Sequence, residues 1–545
     1  MFYILYKIPG KNVSKINKII KDKCLEIYEN DLNMEDFSAT LYLSRNHQGN
    51  IVPWWTSYNK FIPEDTKPIY NLYNCGLLLI KPKNHSNYNY AITLGKSSLF
   101  IKKIIEKDFG INFALRMANE NTVLLKKSTY HSGIKKGDIS HYIEFQKGNY
   151  QPGESVDYLK LKAKNADEWG QHYIECSDSI KINYDINPEK IHYLLKKIED
   201  AYTKDLLIKI PKTDIVTDEQ KKLELYSALT QAIKKNDKNI FLTQFHEHEG
   251  SITSEHEGND FRIGAKKGMQ KNLRNIVELG DAIEIADVLS FINKNKEEYD
   301  ITDIFVEYNT DDDKKEKTQI LDFINFSIIL GGKFYIFKNS IWEVFNETFM
   351  EHIRNSVNSI ECEIREELDD RHLKQYFQHN PPQNRNLKYR EYTFNRKMAE
   401  KYRYKVLDRE NAEVRNINLK GKKYQIEVAD LYDEKNEEVI SVKIGDDNPN
   451  LIYNVKQSLG AVKLLLNGSI TRKGSNKDNN IEVRTASLWF VLTQKIEKIT
   501  ELDRILLILE IEEWKQYMDS HGIKTQIYIT HHVHKENFDN LLKRP

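Results

Sequence analysis

With 545 residues, 40% hydrophobic and 30% charged, the chain exceeds one ordinary core and reads as about two to four domains with well-solvated surfaces. Lys and Arg together equal Asp and Glu at 81 each, so no global field steers it to nucleic acid or membrane, and such a partner must meet a local patch. Cys24, Cys75, Cys176 and Cys362 lie far apart without paired metal spacing, which suits a reducing compartment better than a disulfide scaffold. The opening MFYILYKIPGK has too short an apolar run for a secretory leader, and no run approaches the roughly 18 apolar residues that span a bilayer. A cytoplasmic protein with no membrane partner is expected.

Residues 2–6 read as a strand and 13–28 as a helix with apolar residues at helical spacing. Strands are expected at 77–80 and 90–94, and Ser97 caps a helix running to about Lys107. Trp54 and Trp55 follow Pro53 in a polar loop and are expected to pack onto their own domain. Together these elements make an N-terminal α/β domain, residues 1–110. In a mixed α/β middle domain, residues 111–380, helices are predicted at 189–202, 218–234 and 269–293, with strands at 304–308 and 332–337. A long, charged helical pattern covers 342–370. The segment 378–386, QHNPPQNRN, is polar with a Pro–Pro pair and reads as the linker to a C-terminal domain, residues 381–545.

Past the linker, a helix at 391–407 is followed by a short strand near 414–419, a hairpin at 424–445 and a helix at 451–466. That helix has its start written in, with Asn448 as cap and Pro449 in the first turn. A strand at 486–492, a helix at 501–520 and a strand at 523–529 complete the pattern. The order is helix, three strands, helix, strand, then one more helix and strand.

The hairpin YQIEVADLYDEKNEEVISVK, residues 424–443, carries the chemistry. A symmetric turn at 433–438 sets Asp430 opposite Ser441 and Val428 opposite Lys443. Strand alternation then brings Asp430, Ser441 and Lys443 onto one face and turns Glu427 to the other. Metal-dependent phosphodiester cleavage needs oxygen ligands for Mg²⁺ and a cation to position water or balance charge. Asp430 offers a carboxylate, Lys443 the cation, and Glu391 at the start of the preceding helix a second carboxylate. Gln457 on the following helix is placed to orient the phosphate or the lysine, with Tyr453 one turn earlier on the same side.

An acid on one strand, a triplet ending in lysine on the next and a glutamine on the following helix resemble the PD-(D/E)xK nuclease superfamily. The resemblance implies a multidomain α/β (mixed α+β) protein with a C-terminal restriction-endonuclease-like αβββαβ core. Asp430 takes the place of the first acid, Ser441-Val442-Lys443 that of the triplet, and Gln457 that of the helix glutamine. Ser441 departs from the pattern where a second acid is expected, which implies a migrated carboxylate, with Glu391 the candidate. Implied with it are a Mg²⁺ or Mn²⁺ cofactor on Asp430 and Glu391, and catalysis by Asp430, Lys443, Gln457 and Glu391. A second resemblance covers most of the chain. It is carried by DFGINFALRMANEN (108–121), EYTFN (391–395), the hairpin and the helix with Gln457. These segments resemble an uncharacterised bacterial family of "sporadically distributed" proteins, whose patchy occurrence implies a setting in antiviral defence.

Before the hairpin, residues 385–423 carry thirteen Lys or Arg against five acids, with Tyr389, Tyr392, Tyr402 and Tyr404 interleaved. Such a stretch neutralises phosphates, and Arg396, Lys397, Lys401 and Arg403 are the expected nucleic-acid contacts. His246, His248 and His256 stand among acids in a Gly- and Ser-flanked segment that reads better as a polar loop than as a zinc site. Walker, dinucleotide-binding and Gly-x-Ser-x-Gly signatures are absent from the sequence. The expected protein is therefore a metal-dependent endonuclease acting on DNA more readily than RNA, working as a homo-oligomer or with a defence partner. The rival expectation is an inactive nucleic-acid-binding or sensor protein of the same fold.

Overall fold

The computed structural model describes the chain except residues 23–24, 35, 45–49, 53–54, 56–58, 64–65, 72–74, 85–86, 132–135, 147–148, 236, 243–260, 269–271, 281–282, 296–298, 310–314, 383–388, 409–410, 415–424, 467–469, 473–480 and 537–545. The histidine-rich segment, Trp54 and most of the strand expected near 414–419 lie outside the described residues. The chain divides into two compact units, Met1–Tyr130 with Lys135–Lys212, and His131–Ile134 with Thr213–Pro545. Among the described residues no helix is long and apolar enough to cross a membrane.

The first unit is built on a ten-stranded antiparallel sheet. Its opening strand, Phe2–Pro9, lies mid-sheet between Tyr88–Gly95 and Ile180–Asn183. Helices Phe109–Met117 and Ile191–Tyr202 supply Phe113, Leu194 and Leu195 to a core shared with Leu5 and Ile92 of the sheet. The glycine of the DFGIN stretch packs against another segment's backbone. A Cβ on Gly110 would stand 2.0 Å from the Ser179 carbonyl oxygen, so the position admits no side chain. The helix expected at 13–28 stops at Asp22, and Leu25–Met34 is a strand paired with Phe37–Ser44. The alternating LEIY pattern has period two, and it prevails over the helical spacing before it.

In the second unit a five-stranded and a four-stranded antiparallel sheet accompany a six-stranded mixed sheet. Two expected helices are corrected here. Residues 269–293 contain the strand Arg274–Gly280 before the helix Ile285–Lys294. Residues 342–370 hold the end of strand Ile341–Phe345, the helix Glu347–Asn358 and a strand, β1 (Glu361–Asp369). The sequence ECEIREELD of β1 reads as helix because Glu and Arg favour helices and no apolar alternation marks a strand. As an edge strand with mostly exposed side chains, β1 needs no apolar face, and charge there also discourages pairing with another chain.

From β1 onward the chain continues as α1 (Asp370–His379), α2 (Arg390–Tyr402), β2 (Lys405–Val406), β3 (Leu431–Asp433), β4 (Glu438–Ile444), α3 (Asn448–Leu466), β5 (Thr485–Leu492), α4 (Ile505–Ser520) and β6 (Lys524–His534). The helix expected at 391–407 ends at Tyr402 and β2 follows it, while Asn411–Val414, at the edge of the strand expected near 414–419, joins a separate three-stranded sheet. The sheet order is β1-β6-β5-β4-β3-β2, with β2, β3 and β4 antiparallel and β4, β5, β6 and β1 parallel.

Helices cover both faces of this sheet, which explains the unbroken apolar run of β5, TASLWFVL. Leu488, Phe490 and Leu492 pack with Val455 and Leu459 of α3 and with Leu507 and Trp514 of α4. Trp489 and Val491 face the other way, onto Leu373 of α1 and Phe394 and Met398 of α2. The Trp489 indole N–H donates to the Thr530 hydroxyl at 3.0 Å, so burying this ring leaves no donor unmet. Trp489→Ala is expected to cost about 3–5 kcal/mol. The check is a urea transition of the second unit that falls to lower concentration while that of the first unit stays in place.

Candidate active site

The hairpin has the register that alternation predicts. Leu431 pairs with Ile440, Tyr432 with Val439 and Asp433 with Glu438, and the Asp430 N–H donates to the Ile440 carbonyl at 3.1 Å. The turn is held by Asp433, whose Oδ1 accepts the Lys435 N–H at 2.9 Å, while Glu437 takes the left-handed conformation at φ 50°. Asp430 therefore comes opposite Ser441, one step past the last ladder pair.

Beyond that pair the ladder on this edge of β4 is taken over by carboxylates. The Val442 N–H donates to Asp430 Oδ2 at 2.7 Å, and the Ile444 N–H donates to Glu391 Oε2 at 3.0 Å. Glu391 sits in the first turn of α2, where the helix N-terminus favours a negative charge. Its other oxygen meets Lys443 Nζ at 3.2 Å. Burial alone would favour the neutral amine of Lys443. Glu391 foremost, with Asp430 and Tyr453, outweighs that penalty and raises the lysine above its ordinary range. Lys443 is therefore a fixed positive charge at neutral pH.

Glu391, Asp430, Lys443 and Gln457 line one pocket of about 520 Å³, together with Tyr389, Arg390, Asp408, Val442, Ile444, Asn450 and Tyr453. Gln457 and Tyr453 arrive from α3, Glu391 and Arg390 from α2, and Asp430 and Lys443 from the hairpin. Ser441 is buried and is not part of the lining.

Two lining residues carry chemistry that sequence reasoning had counted only within the basic segment. Arg390 Nη2 lies 3.1 Å from Asp370 Oδ2 and also donates to the Glu536 carbonyl. Asp370 is wholly buried, with His532 Nε2 at 3.0 Å from Oδ1 and the Glu536 N–H at 2.8 Å from Oδ2. Burial would push its carboxyl up, but His532, the Glu536 amide and Arg390 together draw it below the usual carboxylate range. Asp408 lies two residues past the end of β2, and its carboxylate accepts from the Tyr389 hydroxyl at 2.8 Å and from Asn395 Nδ2 at 2.9 Å. Neither residue stands in the hairpin motif. The signal for both was adjacency, Arg390 to Glu391 and Asp408 to the end of β2.

The expected nucleic-acid contacts are placed elsewhere. Arg396 donates to the Asn380 carbonyl at 3.0 Å, and Lys401 is ion-paired with Glu366. Arg403 is exposed and ends α2 in the left-handed conformation, and Lys397 is half-buried. None of the four lines the pocket.

A family model described as "Family of unknown function (DUF6119)" matches residues 8–491. No curated protein and no solved structure matches the chain.

The raised Lys443 carries a pH signature. Its folded value exceeds that of an unfolded lysine, about 10.4. The ion pair with Glu391 therefore contributes its stability in full below that value and loses it as pH climbs through the higher, folded one. The stability gap between wild type and Lys443→Met, measured by urea unfolding, should stay constant from neutral pH to about pH 10. A gap that already closes near pH 8 would contradict this assignment.

Proposed function

The chain belongs to the DUF6119 family, and we propose that it is a metal-dependent nuclease that hydrolyses phosphodiester bonds of nucleic acid, DNA before RNA. One observation carries the reading. Four residues chosen for this chemistry and spread over 67 positions, from Glu391 to Gln457, line the same pocket. The six-stranded sheet supports it further, since its elements α2, β2, β3, β4, α3 and β5, with three strands of a separate sheet set between them, come in αβββαβ order, with β4 antiparallel to β3 and parallel to β5.

The donor set fits a hard divalent cation. Magnesium is commonly held by one or two carboxylates, with water and substrate phosphate filling the remaining positions. The pocket offers carboxylate and amide oxygens and no sulfur. Asp430 is the carboxylate that would hold the ion. When bound, the ion supplies Lewis-acid polarisation of a phosphoryl oxygen and a more acidic water. Lys443, fixed as a cation by Glu391, balances the charge that develops on the phosphate. Gln457 hydrogen-bonds the phosphate or the attacking water from α3. Arg390, steadied by Asp370, gives a second cationic contact to the substrate backbone.

A second reading has its own support. Ser441 stands where an acid belongs in the motif, and among the described residues no group of three or more His, Cys, Asp or Glu is arranged to hold a metal. A nucleic-acid-binding protein without cleavage is the alternative.

Purified protein with supercoiled DNA, linear DNA or RNA and Mg²⁺ or Mn²⁺ separates the two. Cleavage is expected to fall about a hundredfold or more in both Lys443→Ala and Asp430→Ala. Salt-dependent binding with no cleavage by wild type would establish the alternative.

A further inference from the structure

We propose that the pocket takes one unpaired nucleotide, its base stacked on Tyr453, so that the substrate is single-stranded nucleic acid rather than a duplex. The proposal deepens the nuclease reading and rests on it for the reaction, while the binding it describes can be measured without cleavage.

Charge argues against a duplex laid across the site. Proteins that grip duplex DNA by its backbone neutralise about 6–10 phosphates. Two cations line this pocket, Arg390 and Lys443, against three carboxylates, Glu391, Asp408 and Asp430. Each cation also has an acidic neighbour of its own, Asp370 for Arg390 and Glu391 for Lys443. The basic segment around α2 does not extend the field. Lys401 pairs with Glu366, Lys405 with Glu434, and Arg396 is turned to the Asn380 carbonyl. Two cations suit the phosphates on either side of a single nucleotide.

Size and lining agree with that reading. A volume of about 520 Å³ falls among small-ligand pockets, roughly 300–1,000 Å³. A nucleotide enters such a space only when its base is out of the duplex stack. Helix α3 gives the wall a stripe at i, i+3 and i+7, namely Asn450, Tyr453 and Gln457, and all three line the pocket. Tyr453 is half-buried in that wall, and an aromatic ring there stacks on any unpaired base. Asn450 and Gln457 flank it with side-chain amides, whose donors and acceptors match the edges of an unpaired base. A second ring, Tyr389, joins the lining from the N-cap of α2.

The test is binding to the full chain with Ca²⁺ in place of Mg²⁺, using a single-stranded oligodeoxynucleotide that carries a fluorescent aminopurine. Two companions complete the set, the same strand paired to its complement and the same strand without bases at its central positions. Wild type is expected to quench the aminopurine and to bind the single strand about tenfold or more tighter than the duplex. The strand without bases keeps the same phosphates and should bind about tenfold more weakly. Tyr453→Leu should lose the quench and bring the strands with and without bases to nearly equal affinity, a ratio that a loss of stability alone does not change. Should Tyr453→Leu fail to fold by circular dichroism, the wild-type comparison of those two strands decides. The proposal is overturned by a duplex bound as tightly as the single strand, by equal affinity for the strand without bases, or by a Tyr453→Leu protein that keeps both quench and discrimination. Quenched single-strand binding with no cleavage under Mg²⁺ or Mn²⁺ supports this pocket and removes the nuclease reading. Metal-dependent cutting of linear duplex DNA with no preference for single strands does the reverse.

Discussion

The pocket depends on what happens to strand β4 where its antiparallel partner ends. A strand's backbone N–H groups must be satisfied, and past Leu431 the neighbouring strand no longer supplies carbonyls on that edge. Carboxylates from two different elements fill the vacancy, Asp430 on the amide of Val442 and Glu391 on that of Ile444. The constraint is positional as well as energetic. Acceptors bound to alternate amides of one strand are held on the same edge, and Lys443 lies between those two amides in sequence. The ion pair with Glu391 follows from that spacing.

Around this edge the fold supplies rigidity. Both faces of the six-stranded sheet are covered, so β4 and β5 are fixed by packing on two sides, and α2 and α3 are held against opposite faces. The pocket opens where the N-terminal turn of α2, the end of β4 and the first half of α3 meet. Side chains placed by a sheet and two helices keep their geometry better than side chains on loops. In the DFGIN stretch of the first unit, Gly110 shows the same economy of space, with backbone against backbone and no room for a Cβ.

Residues on the near side of the Pro–Pro segment contribute to the same architecture. Strand β1 adds to β6 in parallel, and Asp370 directly after it anchors Arg390 at the mouth of α2. His532, at the far end of β6, closes this buried cluster from the other side. The strands before and after the polar segment at 378–386, β1 and β2, thus belong to one sheet. Composition alone cannot reveal this, because a surface crossing inside a domain and a linker between domains call for the same polar residues.

Local rules made much of the site legible. Turn chemistry at 433–438 and period-two alternation determine the hairpin register from neighbours a few residues apart, and with it the common placement of Asp430 and Lys443. Pro449 likewise marks the start of α3, where Asp447 rather than the expected cap Asn448 accepts the Asn450 amide, and with it the phase that brings Gln457 and Tyr453 to one side. Three things had no local signature: the charged edge strand β1, the burial of Asp408 beside Asp430, and the union of Arg390 with Asp370. The first lacks an apolar face because an edge strand does not need one. The other two join residues 20 or more positions apart through hydrogen bonds that exist only once α2, β2 and the hairpin are packed together. The sequence by itself determined the hairpin register and the apolar strand β5, since alternation and unbroken apolar runs are properties of adjacent residues. Tertiary structure alone decided which charges would be neighbours, since that is a property of the packed sheet.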